Sequence, residues 1–301
     1  MIGLLALAAA AAAQPQTVLT INPKHRLVEG VASDGETIWV SSILDRQILA
    51  CKTSCRVMAT LPAPLHPFAI AWDQGRKRLW VAADCPPGIP AIKTCERGAL
   101  IALDTRGRVQ TRIAPFVGTF HPGDVSATDG HVFVSDSQNG LVFRLLPSGK
   151  ALMAVNLPGD GKSAQGTALT PDGEALIAAD YSLGVRAIDL ATFKATVLPR
   201  QDGKPLRGID GLVRCGSTYY GIYNGAAPGL LVAFTRTAQG IAFSQPLGEV
   251  TLPDPTQIAY DGKRLLIVAD SGWATIDKPA VPRSTGAPIV AVRLSHDCQP
   301  L

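Results

Sequence analysis

The chain has 301 residues and a formal net charge of +4, and only 17% of its residues are charged. Its 29 glycines and 23 prolines suit many short strands joined by tight turns, and they argue against a helical bundle or a disordered chain. The basic residues are scattered singly, and no basic cluster alternates with aromatic residues. Nucleic acid is therefore not an expected partner.

Residues 1–13 form an apolar run that ends in three alanines before Gln14-Pro15-Gln16. The run resembles the apolar core and small-residue cleavage site of a secretory signal peptide, although no Lys or Arg precedes it. It is too short to span a bilayer as a helix, and a disordered alanine-rich leader is the alternative. We expect an exported protein, periplasmic or extracellular, whose residues 14–301 form one domain without a membrane span and act as a monomer.

The six cysteines are an even number, which fits an oxidising destination and a set of disulfides. Spacing alone leaves many pairings open. A zinc site is the rival interpretation, but the sequence has no Cys-x-x-Cys pair and its histidines are dispersed. The preferred pairing is Cys51 with Cys55, Cys85 with Cys95 and Cys215 with Cys298.

One pattern of strands recurs six times along the chain, at intervals of about 40–45 residues. One interval is longer, and it contains Cys85 and Cys95. This spacing is typical of solenoids and propellers. Each copy opens with an apolar strand and continues through a polar turn into a second apolar strand, and third and fourth strands usually follow. The copies open at Glu29-Gly-Val, Phe68-Ala-Ile, Gly123-Asp-Val, Gln165-Gly-Thr, Asp210-Gly-Leu and Thr256-Gln-Ile.

The ends of the chain favour a closed ring. The sixth copy shows no fourth strand after Leu294, whereas a spare strand, Thr17-Val-Leu-Thr-Ile21, precedes the first copy. An all-β, six-bladed propeller with four-stranded blades explains both facts, because the N-terminal strand can complete the last blade. In the fifth copy the fourth strand is expected at Glu249-Val-Thr-Leu. A β-sandwich is the alternative, but it does not predict six copies of one pattern.

The innermost strands of a propeller line its channel, so the opening residues of the six copies should form a ring at one mouth. Glu29 and Asp210 would bring carboxylates to this ring, and Gln165 a carboxamide. Such oxygen ligands suit calcium, magnesium or manganese. Asp124 and His121 lie close to the ring in sequence and add further polar groups.

Four dipeptides carry a resemblance to a known family: Glu29-Gly30, Gly123-Asp124, Gln165-Gly166 and Asp210-Gly211, the last followed by Tyr223-Asn224-Gly225. The chain resembles the senescence marker protein/gluconolactonase/luciferin-regenerating-enzyme family of regucalcin-like six-bladed propellers. The resemblance implies a single divalent metal, with calcium, manganese, magnesium and zinc as candidates. It places Glu29 and Asp210 at ligand positions, and Gln165 where the family has an asparagine ligand.

The resemblance also implies a metal-dependent hydrolase that opens a lactone or ester, with a small molecule as substrate. Asp210 would be both a metal ligand and the general base, and His121 a second proton-handling or substrate-binding group. Asp124, Asn224 and Asp180 are further candidates for substrate binding. Gly123 and His121 replace a family asparagine and arginine that bind substrate, so sugar-lactone specificity is not carried over.

Structural roles compete with each of these assignments. Asp-Gly pairs are common in turns, which would make Asp210 a structural residue. Glu29 could cap a strand, Asp124 could bond backbone groups between blades, and His121 could simply line the channel wall. A non-catalytic propeller that binds a small ligand or a protein partner is accordingly the alternative function.

Overall fold

The computed structural model describes residues 14–116, 118–247, 250–276 and 285–301, and the predicted signal peptide lies outside these ranges. These residues form six four-stranded antiparallel sheets. The innermost strand of each sheet packs against the innermost strands of the two neighbouring sheets, so the six sheets close into a ring. The chain is a six-bladed β-propeller, which confirms the fold predicted from the repeat.

The strands follow one another in blade order, after a first strand that belongs to the last blade. That strand is β1 (Gln16–Ile21), and blade one contains β2 (Val28–Ser33), β3 (Ile38–Ser42), β4 (Gln47–Cys51) and β5 (Cys55–Thr60). Blade two contains β6 (His66–Asp73), β7 (Arg78–Asp84), β8 (Ala99–Leu103) and β9 (Val109–Ile113). Blade three contains β10 (Pro122–Thr128), β11 (His131–Asp136), β12 (Val142–Leu145) and β13 (Leu152–Ala154).

The second half of the ring repeats the same order. Blade four contains β14 (Ala164–Leu169), β15 (Ala175–Asp180), β16 (Gly184–Asp189) and β17 (Ala195–Val197). Blade five contains β18 (Ile209–Cys215), β19 (Thr218–Tyr223), β20 (Leu230–Thr237) and β21 (Gly240–Ser244). Blade six contains β22 (Ile258–Tyr260), β23 (Arg264–Val268) and β24 (Ala287–Arg293), and a short 3₁₀ turn, Trp273–Thr275, lies between its last two strands.

The N-terminal strand completes blade six, as the sequence predicted. β1 pairs antiparallel with β24, and Ile21 lies opposite Ala287. The last blade therefore contains strands from both ends of the chain. This arrangement joins the two ends of the chain in one blade and so closes the ring.

The prediction for the fourth strand of blade five was wrong. That strand is β21, which follows β20 through a tight hairpin in which Thr237 pairs with Gly240. Glu249 lies outside the described residues, and Leu252 forms only an isolated bridge with Gly229. Leu252 is buried in the core between blades five and six, so its apolar stretch reflects burial rather than sheet pairing.

The three predicted disulfides are all present: Cys51–Cys55, Cys85–Cys95 and Cys215–Cys298. The first closes the hairpin between β4 and β5, and the second closes the insertion that follows β7. The third ties blade five to the C-terminal segment, where the Tyr220 hydroxyl also donates a hydrogen bond to the Cys298 carbonyl. Three disulfides suit an oxidising compartment.

Among the described residues, no helix has the length and apolar character needed to cross a membrane.

Candidate functional site

A β-bulge interrupts the inner strand at the ring position in each of the first five blades. The pairing register shifts between Val28 and Val31, Pro67 and Ile70, Pro122 and Asp124, Ala164 and Thr167, and Ile209 and Leu212. A bulge bends its strand and changes the direction of the side chain it carries. The predicted ring residues thus occupy equivalent, irregular positions around the channel.

The glycines that follow the ring residues are required by the neighbouring blade. A Cβ atom at residue 30 would lie 2.6 Å from the Phe68 carbonyl oxygen, and one at residue 211 would lie 2.9 Å from the Ile258 nitrogen. Both positions therefore need glycine for close packing between blades. This packing explains the Gly of the Glu29-Gly30 and Asp210-Gly211 pairs, but it does not explain the carboxylates before them.

Three acidic side chains gather in the channel. Glu29 and Asp124 are buried, and Asp210 is partly exposed. Burial raises the pKa of Asp124 to about 7. Burial, followed by the nearby charge of Asp124, raises the pKa of Asp210 to about 7. Burial and then repulsion from Asp210 raise the pKa of Glu29 well above its usual value. Ionising all three carboxyl groups of this cluster therefore costs free energy in the folded protein.

Two carboxamides donate to these acids, and one of them links two carboxylates. Gln257 Nε2 lies 3.0 Å from Asp124 Oδ2 and 3.5 Å from Asp210 Oδ1. Asn224 Nδ2 donates to Asp210 Oδ2 at 2.9 Å and to the Pro255 carbonyl at 3.0 Å. Because both neighbours of Asn224 Nδ2 are acceptors, the amide orientation is fixed.

The other end of the Asn224 amide has no partner. Its Oδ1 atom is buried and receives no hydrogen bond from any described residue. A buried carbonyl oxygen without a donor costs free energy, and in native proteins it usually meets water, an ion or a ligand. Asn224 therefore offers an oxygen donor beside Asp210.

Glu29 is held by a residue that the sequence did not single out. Trp273 Nε1 donates to Glu29 Oε2 at 2.6 Å. The turn that carries Trp273 is fixed by Asp254, whose Oδ2 accepts the N–H groups of Gly272 and Ala274 at 2.9 and 3.1 Å. The loop of blade six thus reaches over to blade one.

Gln165 lies beside Gly123, on the other side of the ring. Its Nε2 donates to Ser163 Oγ at 3.2 Å, and its Oε1 lies 3.5 Å from the place where a Cβ atom of residue 123 would be. The longer amide in blade four and the missing side chain in blade three are therefore neighbours. The two positions at which the sequence departs from the family that it resembles are therefore close in space.

His121 faces blade two rather than the acids. It is buried, and its Nδ1 lies 3.2 Å from both carboxylate oxygens of Asp84. Its backbone N–H donates to Asp136 Oδ2 at 3.3 Å. The structure therefore pairs His121 with a carboxylate that the sequence analysis did not name.

Asp180 is fully engaged within the protein. Its carboxylate accepts the backbone N–H groups of Lys162, Ser163, Ser182 and Leu183 and forms a buried ion pair with Arg186 at 3.4 Å. These contacts explain its burial without a ligand. The substrate-binding role of Asp180 remains a prediction.

The acids are spread around the mouth rather than gathered at a point. In the described ranges, a single group of three His, Cys, Asp or Glu side chains has ligand atoms within 4.8 Å of one another: Asp84, Cys85 and Cys95. Both of these cysteines are in a disulfide, so they are not metal ligands. A metal in the channel would need amide oxygens in addition to carboxylates, and Asn224 Oδ1 fits this requirement.

Beyond the ring residues, the channel contains a cavity of about 180 Å³ that residues from all six blades line. Asp124 and Gln257 line it, whereas Glu29 and Asp210 do not. The Asp124–Gln257 contact therefore lies between this cavity and the acidic mouth.

The site residues missed by sequence reasoning differ in how well they could have been found. Asp84 lies at the end of the second strand of blade two, in the position that Asn224 has in blade five. A comparison of the strand ends in the sequence could therefore have identified Asp84 as a candidate. Trp273 had no such signal, because its contact with Glu29 depends on how a long loop folds back onto blade one.

Comparison with known proteins gives a result at the level of fold. Neither a family model nor a curated protein matches the sequence. Among solved structures, a gluconolactonase from Xanthomonas campestris is 15% identical with a TM-score of 0.58, over 95% of this chain and 99% of that one. A putative gluconolactonase is also 15% identical, with a TM-score of 0.60 over 97% of this chain and 95% of that one. Gluconolactonases are among the structural neighbours.

An aldose sugar dehydrogenase from Streptomyces coelicolor, solved in its PQQ-bound form, shares the fold equally well. It is 13% identical with a TM-score of 0.61, over 94% of this chain and 99% of that one. One propeller fold therefore carries different named activities, and the function of this chain must be argued from its own site.

Proposed function

We propose that this protein is an exported, divalent-metal-dependent hydrolase of small lactones or esters, with its site at the acidic mouth of the channel. The observation that carries the proposal is the unpartnered Asn224 Oδ1 beside Asp210, within a group of buried carboxylates. Within the described ranges, none of the ion pairs involves Glu29, Asp124 or Asp210. A bound cation would compensate their charge and meet the free oxygen.

Glu29, Asp210 and Asn224 Oδ1 are the residues that would hold the metal, and Gln165 remains a predicted ligand. An all-oxygen set suits calcium, magnesium or manganese better than zinc. When bound, such an ion would polarise the carbonyl group of an ester or lactone.

Asp210 is the residue best suited to accept a proton from water. In the metal-free protein, burial and then Asp124 raise its pKa to about 7. A bound cation would lower this pKa and keep the carboxylate ionised, as a general base requires. Asn224 and Gln257 each hold one of its oxygens and so fix its orientation. Asp124 contributes by raising the pKa of Asp210, and its predicted contact with substrate is secondary to this role.

The test is hydrolysis of a panel of sugar lactones, aliphatic lactones and aryl esters, followed by acid release. We expect turnover by the metal-loaded protein, loss of turnover after dialysis against a chelator, and recovery when manganese or calcium is returned. Asp210→Ala should be inactive under all these conditions. A metal-loaded wild type that hydrolyses nothing on the panel contradicts the proposal.

A non-catalytic propeller that binds a small ligand or a protein partner is the second candidate. It is favoured by the spread of the three carboxylates, whose oxygens do not all lie within 4.8 Å of one another, and by the hydrogen bond that already occupies Glu29. This function predicts a folded wild type that neither binds metal nor hydrolyses the panel.

A further inference from the structure

Two His-Pro pairs open neighbouring blades. His66-Pro67 begins the inner strand of blade two, and His121-Pro122 leads into that of blade three. Both histidines are buried, with 8% and 6% of their surface exposed. Each extends its Nδ1 to the preceding blade: His66 reaches the Ile43 carbonyl oxygen at 2.7 Å, and His121 reaches the Asp84 carboxylate at 3.2 Å.

The two partners, Ile43 and Asp84, occupy equivalent positions. Each lies at the end of the second strand of its blade, three residues after a valine that pairs with the inner strand in the same register: Ile43 directly follows β3, and Asp84 is the last residue of β7. Asn224 has this position in blade five, where it binds Asp210. Asp84 and Asn224 therefore occupy equivalent positions in their blades, at the same level of the channel mouth.

The surroundings of Asp84 hold it firmly. Its carboxylate lies within 4.8 Å of the Cys85–Cys95 sulfurs, and a Cβ atom at residue 98 would be 2.9 Å from its Oδ1. The Gly98 N–H, three residues after the disulfide, donates to the Phe120 carbonyl, so the chain beside the disulfide also holds the chain that enters His121. Burial raises the pKa of Asp84 to about 6.

The tautomer of His121 follows from this contact. A carboxylate accepts hydrogen bonds, so the Nδ1 atom facing Asp84 carries a proton whether the ring is neutral or an imidazolium. In the imidazolium Nε2 carries a second proton, and the Asp84 carboxylate compensates the charge of the ring. No described residue forms a hydrogen bond with the Nε2 atom of His121, which is therefore available to a ligand. His66 has the same Nδ1–H tautomer but lacks a charge beside it.

We infer that Asp84 is a positioning residue that orients His121, whose Nε2 donates a proton to the leaving-group oxygen of the substrate. This inference rests on the proposed hydrolase function. It adds a general acid on the side of the mouth opposite to Glu29 and Asp210. It also gives a role to His121, which stands where the family that the chain resembles has an arginine.

The proton transfers balance. A water oxygen bonds to the carbonyl carbon while Asp210 accepts one of its protons, and the bond between that carbon and the leaving oxygen then breaks. The imidazolium form of His121, protonated on both nitrogens, gives its Nε2 proton to the leaving oxygen and becomes the neutral Nδ1–H tautomer. The products are a hydroxy acid from a lactone, or an acid and an alcohol from an ester. Asp210 returns its proton to solvent and His121 regains one.

The experiment compares His121→Gln and Asp84→Asn with a matched control, His66→Gln. General acid catalysis is worth about 100-fold or more, so we expect His121→Gln to lower kcat by about 100-fold and Asp84→Asn by about tenfold. The KM and the manganese affinity should change less than about twofold in both, because this inference places His121 in the chemical step and neither residue is a proposed metal ligand. His66→Gln should change kcat less than about threefold.

The pH profile separates charge from geometry. Asn at position 84 still accepts a hydrogen bond from Nδ1–H but carries no charge. Loss of a nearby carboxylate should move the alkaline limb of kcat down by about 1 pH unit. Asp136, which accepts the His121 backbone N–H, is the other titratable group facing the pair. In a protein that already carries Asp136→Asn, adding Asp84→Asn should still shift the pH profile of kcat.

The outcomes distinguish this inference from the proposed function. If the wild type is an active, metal-dependent hydrolase but His121→Gln and Asp84→Asn are no slower than His66→Gln, the role of the pair is overturned and the hydrolase remains. If the metal-loaded wild type has no activity on the panel, both are overturned. Thermal melting checks the fold of each variant, and Asp84→Asn decides the question should His121→Gln not fold.

Discussion

Asp180 and Asp210 lie in neighbouring blades, and both are candidates that the sequence placed near the substrate. The carboxylate of Asp180 has an arginine and four backbone N–H groups around it. That of Asp210 has one amide on each oxygen and two further carboxylates nearby, without any ion-paired cation in the described residues. Asp180 is buried and Asp210 is partly exposed, but only the charge of Asp210 lacks a counter-charge.

The difference shows how to separate structural acids from functional ones in this fold. A buried charge that is fully paired and hydrogen-bonded stabilises the native state only if the pair stays intact. A buried charge that is left uncompensated costs stability and is retained where it binds or reacts. The number of hydrogen-bond and ion-pair partners of a carboxylate therefore separates structural from functional acids better than its exposure does.

The largest effect should come from breaking the paired acid. Asp180→Asn leaves Arg186 buried without its counter-charge, so we expect the free energy of unfolding to fall by about 3–5 kcal/mol. Asp210→Asn removes repulsion and should leave the metal-free protein as stable as the wild type, or more so. Urea denaturation of both variants in a chelator makes the comparison. Equal destabilisation by the two substitutions would show that Asp210 is structural.

The pH dependence of stability should reveal the uncompensated acids. Asp124 keeps its proton in the folded protein up to about pH 7, whereas the unfolded chain releases it near pH 4. The folded state thus binds more protons between these values, and its stability falls as pH rises through that window. Between pH 5 and 7 the loss due to Asp124 should be about 2 kcal/mol.

The measurement is urea denaturation of metal-free wild type and Asp124→Asn at pH 5 and pH 7. Histidines whose pKa burial lowers, such as His66, have the opposite pH dependence, so the difference between the two proteins is the relevant quantity. A wild type that loses no more stability than Asp124→Asn over this range would contradict the raised pKa.

The fold was predictable because its determinants are local and repeated. Each blade carries its own alternation of apolar strands and turns, and Asp129-Gly130 shows why: both residues adopt positive φ, of 48° and 78°, as a tight hairpin requires. The unpaired first strand revealed the closure. The fourth strand of blade five was misplaced because buried Leu252 and its neighbours looked apolar enough to be a strand.

The site was only partly predictable, because it depends on contacts between blades. The ring positions of Glu29, Gln165 and Asp210 could be read from the repeat. The partners of these residues could not, since Trp273 reaches Glu29 across the closure of the ring and Gln257 bridges two acids from different blades. Side-chain directions at bulges are set by the neighbouring backbone, which a linear pattern does not show.

An intermediate effect is expected where an acid has a single donor. Trp273→Phe removes the hydrogen bond that favours the ionised form of Glu29, so the pKa of Glu29 should rise further. At pH 6 the manganese affinity should fall about tenfold, because a larger fraction of Glu29 is protonated and must lose its proton before it can bind the ion. The difference should shrink at pH 8.5. Tighter binding at both pH values would instead mean that Trp273 blocks a ligand oxygen.

The smallest effect should come from Gln165→Asn. The Gln165 amide donates to Ser163 and lies beside Gly123, and Asn224 already supplies an amide oxygen next to Asp210. We therefore expect the metal affinity to change less than about threefold, a difference of less than about 0.7 kcal/mol. Tenfold tighter binding by the variant would support the predicted ligand role of position 165 and show that the longer side chain of Gln165 weakens it.

The most direct measurement is calorimetric titration of residues 14–301 with calcium, manganese and zinc, for the wild type and for Asp210→Ala. A metal site at the acidic mouth predicts micromolar binding of one ion, about −8 kcal/mol, that is lost in the variant. A wild type that binds none of the three ions, or a variant that binds as tightly as the wild type, would contradict it.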